Sequence, residues 1–392
     1  MPWKETHVME ERRRFIETRH RSALSLSELC RRFDISRKTA YKWLERCEQE
    51  GPPGLADRSS RPHSCAHATS PFIVEAVVAL RQRHPLYSAK KIRWYLERHH
   101  PEWPLPSRGT IHNVLRRHNL VPRRRRSPRR WHPGRPTSVA TGPNSLWTAD
   151  FKGQFRLGAG AYCYPLTLQD ASSRYLLTCH GLPTPTIEAT QPLFERAFRA
   201  YGLPERIRTD NGAPFASNAL GRLSRLSVWF VQLRIWPEFI EPGKPYQNGR
   251  HENMHGTLKK HTARPPERSV TAQQRRFDAF RREFNTVRPH EALTGAVPAD
   301  HYRRSPRPLP RHLEPLTYPG HFEVRYVSRN GGIRWNKRWV CVSHLLMEQH
   351  VGLEAIDDSL WNVYFGPIWL GWFVEAKNRI VDRNDRELRR PT

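Results

Sequence analysis

The sequence predicts a mixed α/β centre, preceded by all-α modules and followed by a small β-barrel. Three observations carry that expectation. Between 143 and 302, strand-like runs alternate with amphipathic helical runs, the order expected of an α/β layer structure. Ahead of that stretch, several apolar-periodic segments open on a serine at the N-cap position. From 318 onward, apolar residues recur at every second position around Gly-containing turns.

The first helical unit, 1–54, contains a polar, Arg-rich helix over 8–22. Ser25-Leu26-Ser27-Glu28 is a capping-box pattern and opens a helix with Leu26, Leu29, Cys30 and Phe33 on one side. Asp34-Ile35-Ser36 is a short turn, and Ser36 can cap a helix from Arg37 to about Glu50 with Ala40, Trp43 and Leu44 facing inward. This is a helix-turn-helix pattern. It puts Arg37, Lys38, Tyr41 and Lys42 on the face that a recognition helix lays in the major groove. A Pro/Ser/His-rich stretch, 55–70, reads as a linker.

Residues 71–121 predict three more helices, over 71–84, 88–100 and 107–119, with Ser88 and Ser107 as N-caps. Arg108, His112, Asn113 and Arg116 fall on the open side of the last one, as in a second helix-turn-helix. The stretch 122–142 cannot bury a core, and its Arg123, Arg124, Arg125 and Arg126 can follow phosphates or a minor groove.

In the centre, strands are expected over 145–152, 162–168, 174–179 and 205–208, with a short fifth at Phe239-Ile240. A helix after the third strand carries Leu193, Phe194, Ala197, Phe198 and Tyr201 on one face, and Pro192 should mark its start or a kink. A further helix is expected from Asn218 to Leu233, and another from about Gly249. Asp150 lies within the first strand. Asp210 sits at a strand tip because Asn211-Gly212 turns the chain at once. On the last helix Glu252, His255 and Lys259 are spaced to share a face, while Met254 and Leu258 can pack on the sheet. Lys259 and Lys260 can hold a DNA backbone, and His255 can help to place a phosphate.

Composition points the same way. Lys plus Arg total 66 against 37 Asp plus Glu, a formal charge of +29 spread along the chain, which favours a polyanionic partner. The 392 residues suggest roughly two to four domains. The six cysteines form no Cys-x-x-Cys pair, which excludes a zinc ribbon, and His63, Cys65 and His67 lack a fourth ligand nearby. Met1-Pro2-Trp3-Lys4-Glu5 has no apolar signal core, and no run of about 18 apolar residues occurs. The expectation is a cytoplasmic protein on DNA, without membrane.

Trp147-Thr148-Ala149-Asp150, Asp210-Asn211-Gly212-Ala213-Pro214-Phe215 and Gln247-Asn248-Gly249-Arg250-His251-Glu252 resemble the three signatures of the DDE transposases and retroviral-type integrases. Phe284-Asn285-Thr286-Val287-Arg288-Pro289-His290-Glu291-Ala292-Leu293 resembles the segment after the core in bacterial insertion-sequence transposases. The resemblance implies a ribonuclease-H-like catalytic core at 143–302. It also implies Asp150, Asp210 and Glu252 as a catalytic, metal-binding triad for two Mg²⁺ ions, with Mn²⁺ as an alternative. The partner is then double-stranded DNA, both element ends and target, bound by a homodimer or higher homo-oligomer. One departure stands out. The 41 residues between Asp210 and Glu252 exceed the gap common in such enzymes, which leaves Glu238 and Glu241 as competing third acids. Three gathered carboxylates suit divalent cations in phosphodiester transfer. The alternatives are a catalytically inactive DNA-binding regulator and a nuclease acting on RNA–DNA hybrids.

A Pro/Arg linker is expected at 303–317 and a small barrel at 318–392. There Arg325, Arg329, Arg334, Lys337 and Arg338 suit a nonspecific DNA clamp, and the aromatic residues suit a dimer contact.

Overall fold

The computed structural model describes residues 7–59, 68–121, 138–241 and 243–382, with only the backbone of Pro245, Tyr246 and Arg250. Arg123, Arg124, Arg125 and Arg126, and the group His63, Cys65 and His67, lie outside the described residues. The chain divides into two compact units, 1–70 and 71–392.

In the first unit, α1 (Val8–Arg21), α2 (Leu26–Arg32) and α3 (Arg37–Glu50) pack around Phe15, Ile16, Leu29, Ala40 and Trp43. The serine caps form where the sequence placed them. Ser25 and Glu28 close a capping box, and the Thr39 amide donates to Ser36 Oγ at 3.1 Å. Arg12 lies 3.8 Å over the Trp43 ring and donates to the Leu55 carbonyl at 2.7 Å, which fastens the segment after α3 to the helices.

The second unit begins with α4 (Pro71–Arg83), α5 (Ala89–His99) and α6 (Arg108–Arg117), built on Ile73, Val77, Tyr87, Ile92, Leu96 and Ile111. The central sheet follows, made of β1 (Trp147–Phe151), β2 (Phe155–Arg156), β3 (Tyr162–Asp170), β4 (Leu176–Leu182), β5 (Arg206–Thr209) and β6 (Trp236–Phe239). β3 lies antiparallel between β1 and β4, while β5 and β6 run parallel to β1. α7 (Ile187–Tyr201) and α8 (Arg225–Gln232) pack on the sheet through Leu193, Phe194, Phe198 and Phe230. α9 (Gly249–Thr262) and α10 (Val270–Thr286) join Met254, Leu258, Phe277 and Phe280 to Leu176 and Cys179 of β4.

Two helices differ from expectation. α7 starts at Ile187 under a Thr186 cap, so Pro192 lies inside it rather than at its start. α8 is shorter than predicted. Gly221 and Arg222 have φ of +63° and +58°, which interrupts the helix until Ser224 re-caps it.

β4 is an edge strand, and α10 covers it with side-chain amides. Asn285 accepts from the Leu176 amide at 2.8 Å and donates to its carbonyl at 2.9 Å. Gln274 does the same for the Gly181 amide and the Cys179 carbonyl. These bonds satisfy backbone groups that an unpaired edge leaves open.

After α11 (Pro298–His301), the expected linker instead lies along the core. The Leu203 amide donates to the Arg307 carbonyl at 2.7 Å, and Ser305 Oγ donates to the Leu203 carbonyl at 2.6 Å. The last segment forms β7 (Glu323–Tyr326), β8 (Gly332–Trp335), β9 (Arg338–Cys341), β10 (His350–Asp357), β11 (Leu360–Phe365), β12 (Ile368–Val374) and β13 (Arg379–Val381). These do not close into the predicted barrel. They make an open five-stranded sheet, β13-β12-β11-β10-β7, and a separate β8-β9 hairpin. Closure is unnecessary because the apolar face is already covered. Leu220, Leu223, Val228 and Val231, on and just before α8, share a core with Val351, Leu353, Phe365 and Leu370.

No helix among the described residues is long and apolar enough to cross a membrane.

Candidate active site

Asp150 and Asp210 are brought level by strand register. β1 and β5 pair Trp147 with Ile207 and Thr148 with Arg208, so two residues further on Asp150 stands beside Asp210. β5 ends at Thr209 and the turn follows. The Gly212 amide donates to Asp210 Oδ1 at 3.2 Å, and Asn211 Nδ2 donates to the Ile240 carbonyl at 2.8 Å. Glu252 lies in the first turn of α9 with its side chain exposed.

The three acids interact electrostatically. Burial pushes Asp150 up to about 7, and the charges of Asp210 and Glu252 push it in the same direction. Lys152 and the Phe151 amide oppose them. Burial also raises Asp210, against the Gly212 hydrogen bond. As they stand, no three His, Cys, Asp or Glu side chains among the described residues gather closely enough to hold one metal ion. Asp150, Asp210 and Glu252 still form the chemically suitable donor set. They are hard carboxylate oxygens, and among the described residues no ion pair joins any of them to a Lys or Arg.

The competing acids are occupied. Glu238 pairs with buried Arg208 at 2.6 Å and accepts from Ser138 Oγ at 2.5 Å. Arg208 also donates to the Gln247 carbonyl at 3.3 Å, just before α9. Glu241 pairs with Lys244 and accepts from Gln247 Nε2 at 2.8 Å.

Helical spacing does not keep His255 beside Glu252 on the open face. Glu252 and Lys259 stay exposed, whereas His255, turned toward the sheet, is buried. Its Nε2 is hydrogen-bonded to Thr167 Oγ1 at 2.6 Å, and its Nδ1 lies 3.6 Å from Asp150 Oδ2. In place of the predicted phosphate contact, its neighbours are therefore β3 and Asp150.

His251, Thr148 and Thr167 have no expected role from their sequence context. His251 is buried, its Nδ1 2.7 Å from Thr148 Oγ1 and its Nε2 2.7 Å from Thr167 Oγ1. Burial pushes His251 down to about 3. Burial, with the charges of His251 and Lys152, pushes His255 down to about 2. Both imidazoles are neutral at physiological pH. The readable signal was the i, i+4 histidine pair flanking Glu252 on a helix next to two Thr-bearing strands.

The remaining expected contact residues on α3, α6 and α9 are all exposed. Arg37, Lys38, Tyr41 and Lys42 are exposed along one side of α3. Arg108, His112, Asn113 and Arg116 are exposed on α6, and Lys259 and Lys260 on α9.

Family models match the stretches that carry Asp150, Asp210 and Glu252. A model described as "Integrase core domain" matches residues 140–245, and a second of the same description matches 233–298. A "Helix-turn-helix domain" matches 11–63 and a "Homeodomain-like domain" 39–115. Among curated proteins, the chain is similar to an uncharacterized 39.2 kDa protein of insertion element IS476 from Xanthomonas euvesicatoria. They are 28% identical over 228 residues, 57% of this chain and 62% of that protein. It is also 28% identical over 195 residues to an uncharacterized 31.7 kDa protein of insertion element IS407 from Burkholderia multivorans, covering 48% of this chain and 67% of that one. A simian T-cell lymphotropic virus intasome chain aligns with 75% of this chain and 97% of its own length, at 16% identity and a TM-score of 0.37. The chain thus spans about two thirds of the length of the curated relatives it matches. Two integrase-core matches and insertion-element proteins among its relatives support a place for the chain in the DDE transposase and integrase superfamily.

Proposed function

We propose that this chain is a DNA transposase that binds the ends of its element, cleaves the DNA there and joins the freed 3′-hydroxyls to target DNA. One observation carries the reading. Strand register sets Asp150 level with Asp210, and Glu252, from a third motif, stands exposed in the first turn of α9, where its charge bears on buried Asp150. A cluster of uncompensated carboxylates is costly unless a cation answers it.

Asp150, Asp210 and Glu252 would hold two Mg²⁺ ions, or Mn²⁺, whose Lewis acidity stabilises charge on the attacking and leaving oxygens. In the first step a water oxygen attacks a phosphorus at the element end. The bond from that phosphorus to the 3′-oxygen breaks and leaves a 3′-hydroxyl. In the second step that hydroxyl attacks a target phosphorus, a new ester forms, and the target's 3′-oxygen departs. One phosphodiester replaces another, so no covalent enzyme intermediate is needed. Lys259 and Lys260 lie on the same helix as Glu252 and hold the phosphate backbone. Exposed Arg37, Lys38, Tyr41 and Lys42 on α3, and Arg108, His112, Asn113 and Arg116 on α6, read the element ends. Arg123, Arg124, Arg125 and Arg126 add sequence-independent phosphate contacts. Joining two ends to one target favours a homodimer or larger assembly on DNA.

A second reading draws on the lack of a closed three-ligand cluster among the described residues: a DNA-binding regulator without catalysis. The deciding experiment uses the purified full chain, Mg²⁺ and duplex DNA carrying the element's flanking repeats. Wild type should nick the DNA, whereas Asp150→Asn, Asp210→Asn and Glu252→Gln should bind it about equally and not cut. Cutting by Glu252→Gln at the wild-type rate would remove Glu252 from the site. No cutting by wild type on bound ends would favour the regulator.

A further inference from the structure

The first turn of α9 lacks the usual means of support. Asn248 stands at the N-cap, yet its side chain makes no capping hydrogen bond. The apolar anchors of the helix, Met254 and Leu258, both lie beyond Glu252. The buried side chain described within that turn is His251, 1% exposed. One ring nitrogen of His251 meets a hydroxyl on β1 and the other a hydroxyl on β3, each at 2.7 Å. Thr148 is two residues before Asp150 on its strand, and Thr167 is the residue paired with Asp150 across the sheet.

We infer that His251 is a positioning residue, clasping the first turn of α9 to the two strands that frame Asp150 and so fixing where the Glu252 carboxylate stands. The inference rests on the metal reading proposed above and adds a residue to it. An apolar side chain would fill this space between two β-branched residues, but it would let the helix turn about its axis. Two hydrogen bonds from opposite edges of one planar ring restrict both rotation and sliding. Because His251 directly precedes Glu252, any rotation it prevents would otherwise move the carboxylate. Outer hydrogen bonds of this kind commonly control metal affinity by about tenfold or more.

The test is calorimetric titration of Mn²⁺ into the full-length, DNA-free protein. His251→Val and Thr148→Val should each weaken Mn²⁺ binding about tenfold. Thr148→Ser keeps the hydroxyl and should bind as wild type does. The double variant His251→Val/Thr148→Val should be no worse than His251→Val alone, which already removes both ring hydrogen bonds. Met254→Ala, buried one turn further on, serves as the control for general destabilisation and should leave Mn²⁺ binding within about twofold. In DNA cleavage, His251→Val should raise the half-saturating Mg²⁺ and leave DNA affinity unchanged. Mn²⁺ binding by His251→Val and Thr148→Val that matches Met254→Ala overturns the clasp alone. Wild type that binds Mn²⁺ no better than Asp150→Asn overturns the metal reading, and the clasp with it.

Discussion

Asp150 carries a cost in the metal-free protein that a single substitution removes. Its folded value, about 7, lies above the ordinary aspartate value of 3.8. The folded state therefore holds that proton more tightly than the unfolded chain does. The penalty is absent below about pH 4, grows as pH rises between the two values, and is complete above about 7. Asp150→Asn should accordingly stabilise the protein in EDTA at pH 8 by on the order of 2 kcal/mol, seen as a higher melting temperature, and make no difference near pH 4. Differential scanning calorimetry of both proteins at the two pH values checks this. Equal stability at pH 8 would mean that neither burial nor the neighbouring charges raise Asp150. At this scale the sequence was informative wherever a residue acts through its own local turn. Asp210 was legible from Asn211-Gly212, and the serine caps from their spacing. His251 and His255 were not, because their partners Thr148 and Thr167 come from other elements.

Elements were legible to the extent that periodicity and local chemistry decide them. α1 to α6 and α9 follow the apolar spacing, and each expected serine cap formed. The β8-β9 turn was missed because Asn336 and Lys337 adopt φ of +44° and +63° without the glycine that usually marks such a turn. The truncation of α8 was missed for a related reason. Arg222, not only a glycine, takes the left-handed conformation there. The role of α10 could not be read either, since it depends on which sheet edge the helix meets. Its Asn285 supplies both partners for Leu176 across a separation of 109 residues. Asn285→Ala should leave a buried amide and carbonyl of β4 unsatisfied and cost about 2–4 kcal/mol. Asn285→Gln, with a longer arm, should recover only part of that. Urea denaturation of the three proteins measures it, and a loss below about 0.5 kcal/mol would mean that water or a neighbour takes over both bonds.

Across the whole second unit, the sequence suggested beads joined by linkers, yet the linker at 303–317 and the helices at 71–117 lie on the core. Composition predicts a linker from its lack of apolar residues. It does not register that a carbonyl such as that of Arg307 can bond to the Leu203 amide. α4 to α6 are held by a mixed seam. His84 Nδ1 is 3.0 Å from Glu283 Oε1, Arg98 makes a two-pronged pair with Asp300 at 2.5 and 3.0 Å, and the Arg288 guanidinium lies 5.4 Å over the Tyr87 ring. The seam fixes the exposed face of α6 relative to Asp150 and Asp210. A DNA end gripped by α6 would then meet the carboxylates at a set distance, with no search by a tethered module. Gly295 is the point at which this can be tested. Its φ is +100°, and a Cβ there would fall 2.6 Å from the Trp94 ring of α5. Gly295→Val should cost about 1–3 kcal/mol and loosen the seam without touching either the α6 face or the carboxylates. Hydrogen exchange should quicken in α4 to α6 while β1 and β5 stay protected. Binding to element ends should fall by no more than about threefold, and cleavage of those ends about tenfold or more. If exchange in α4 to α6 quickens and cleavage keeps pace with binding, the seam adds stability alone and has no part in aligning the DNA with the acids.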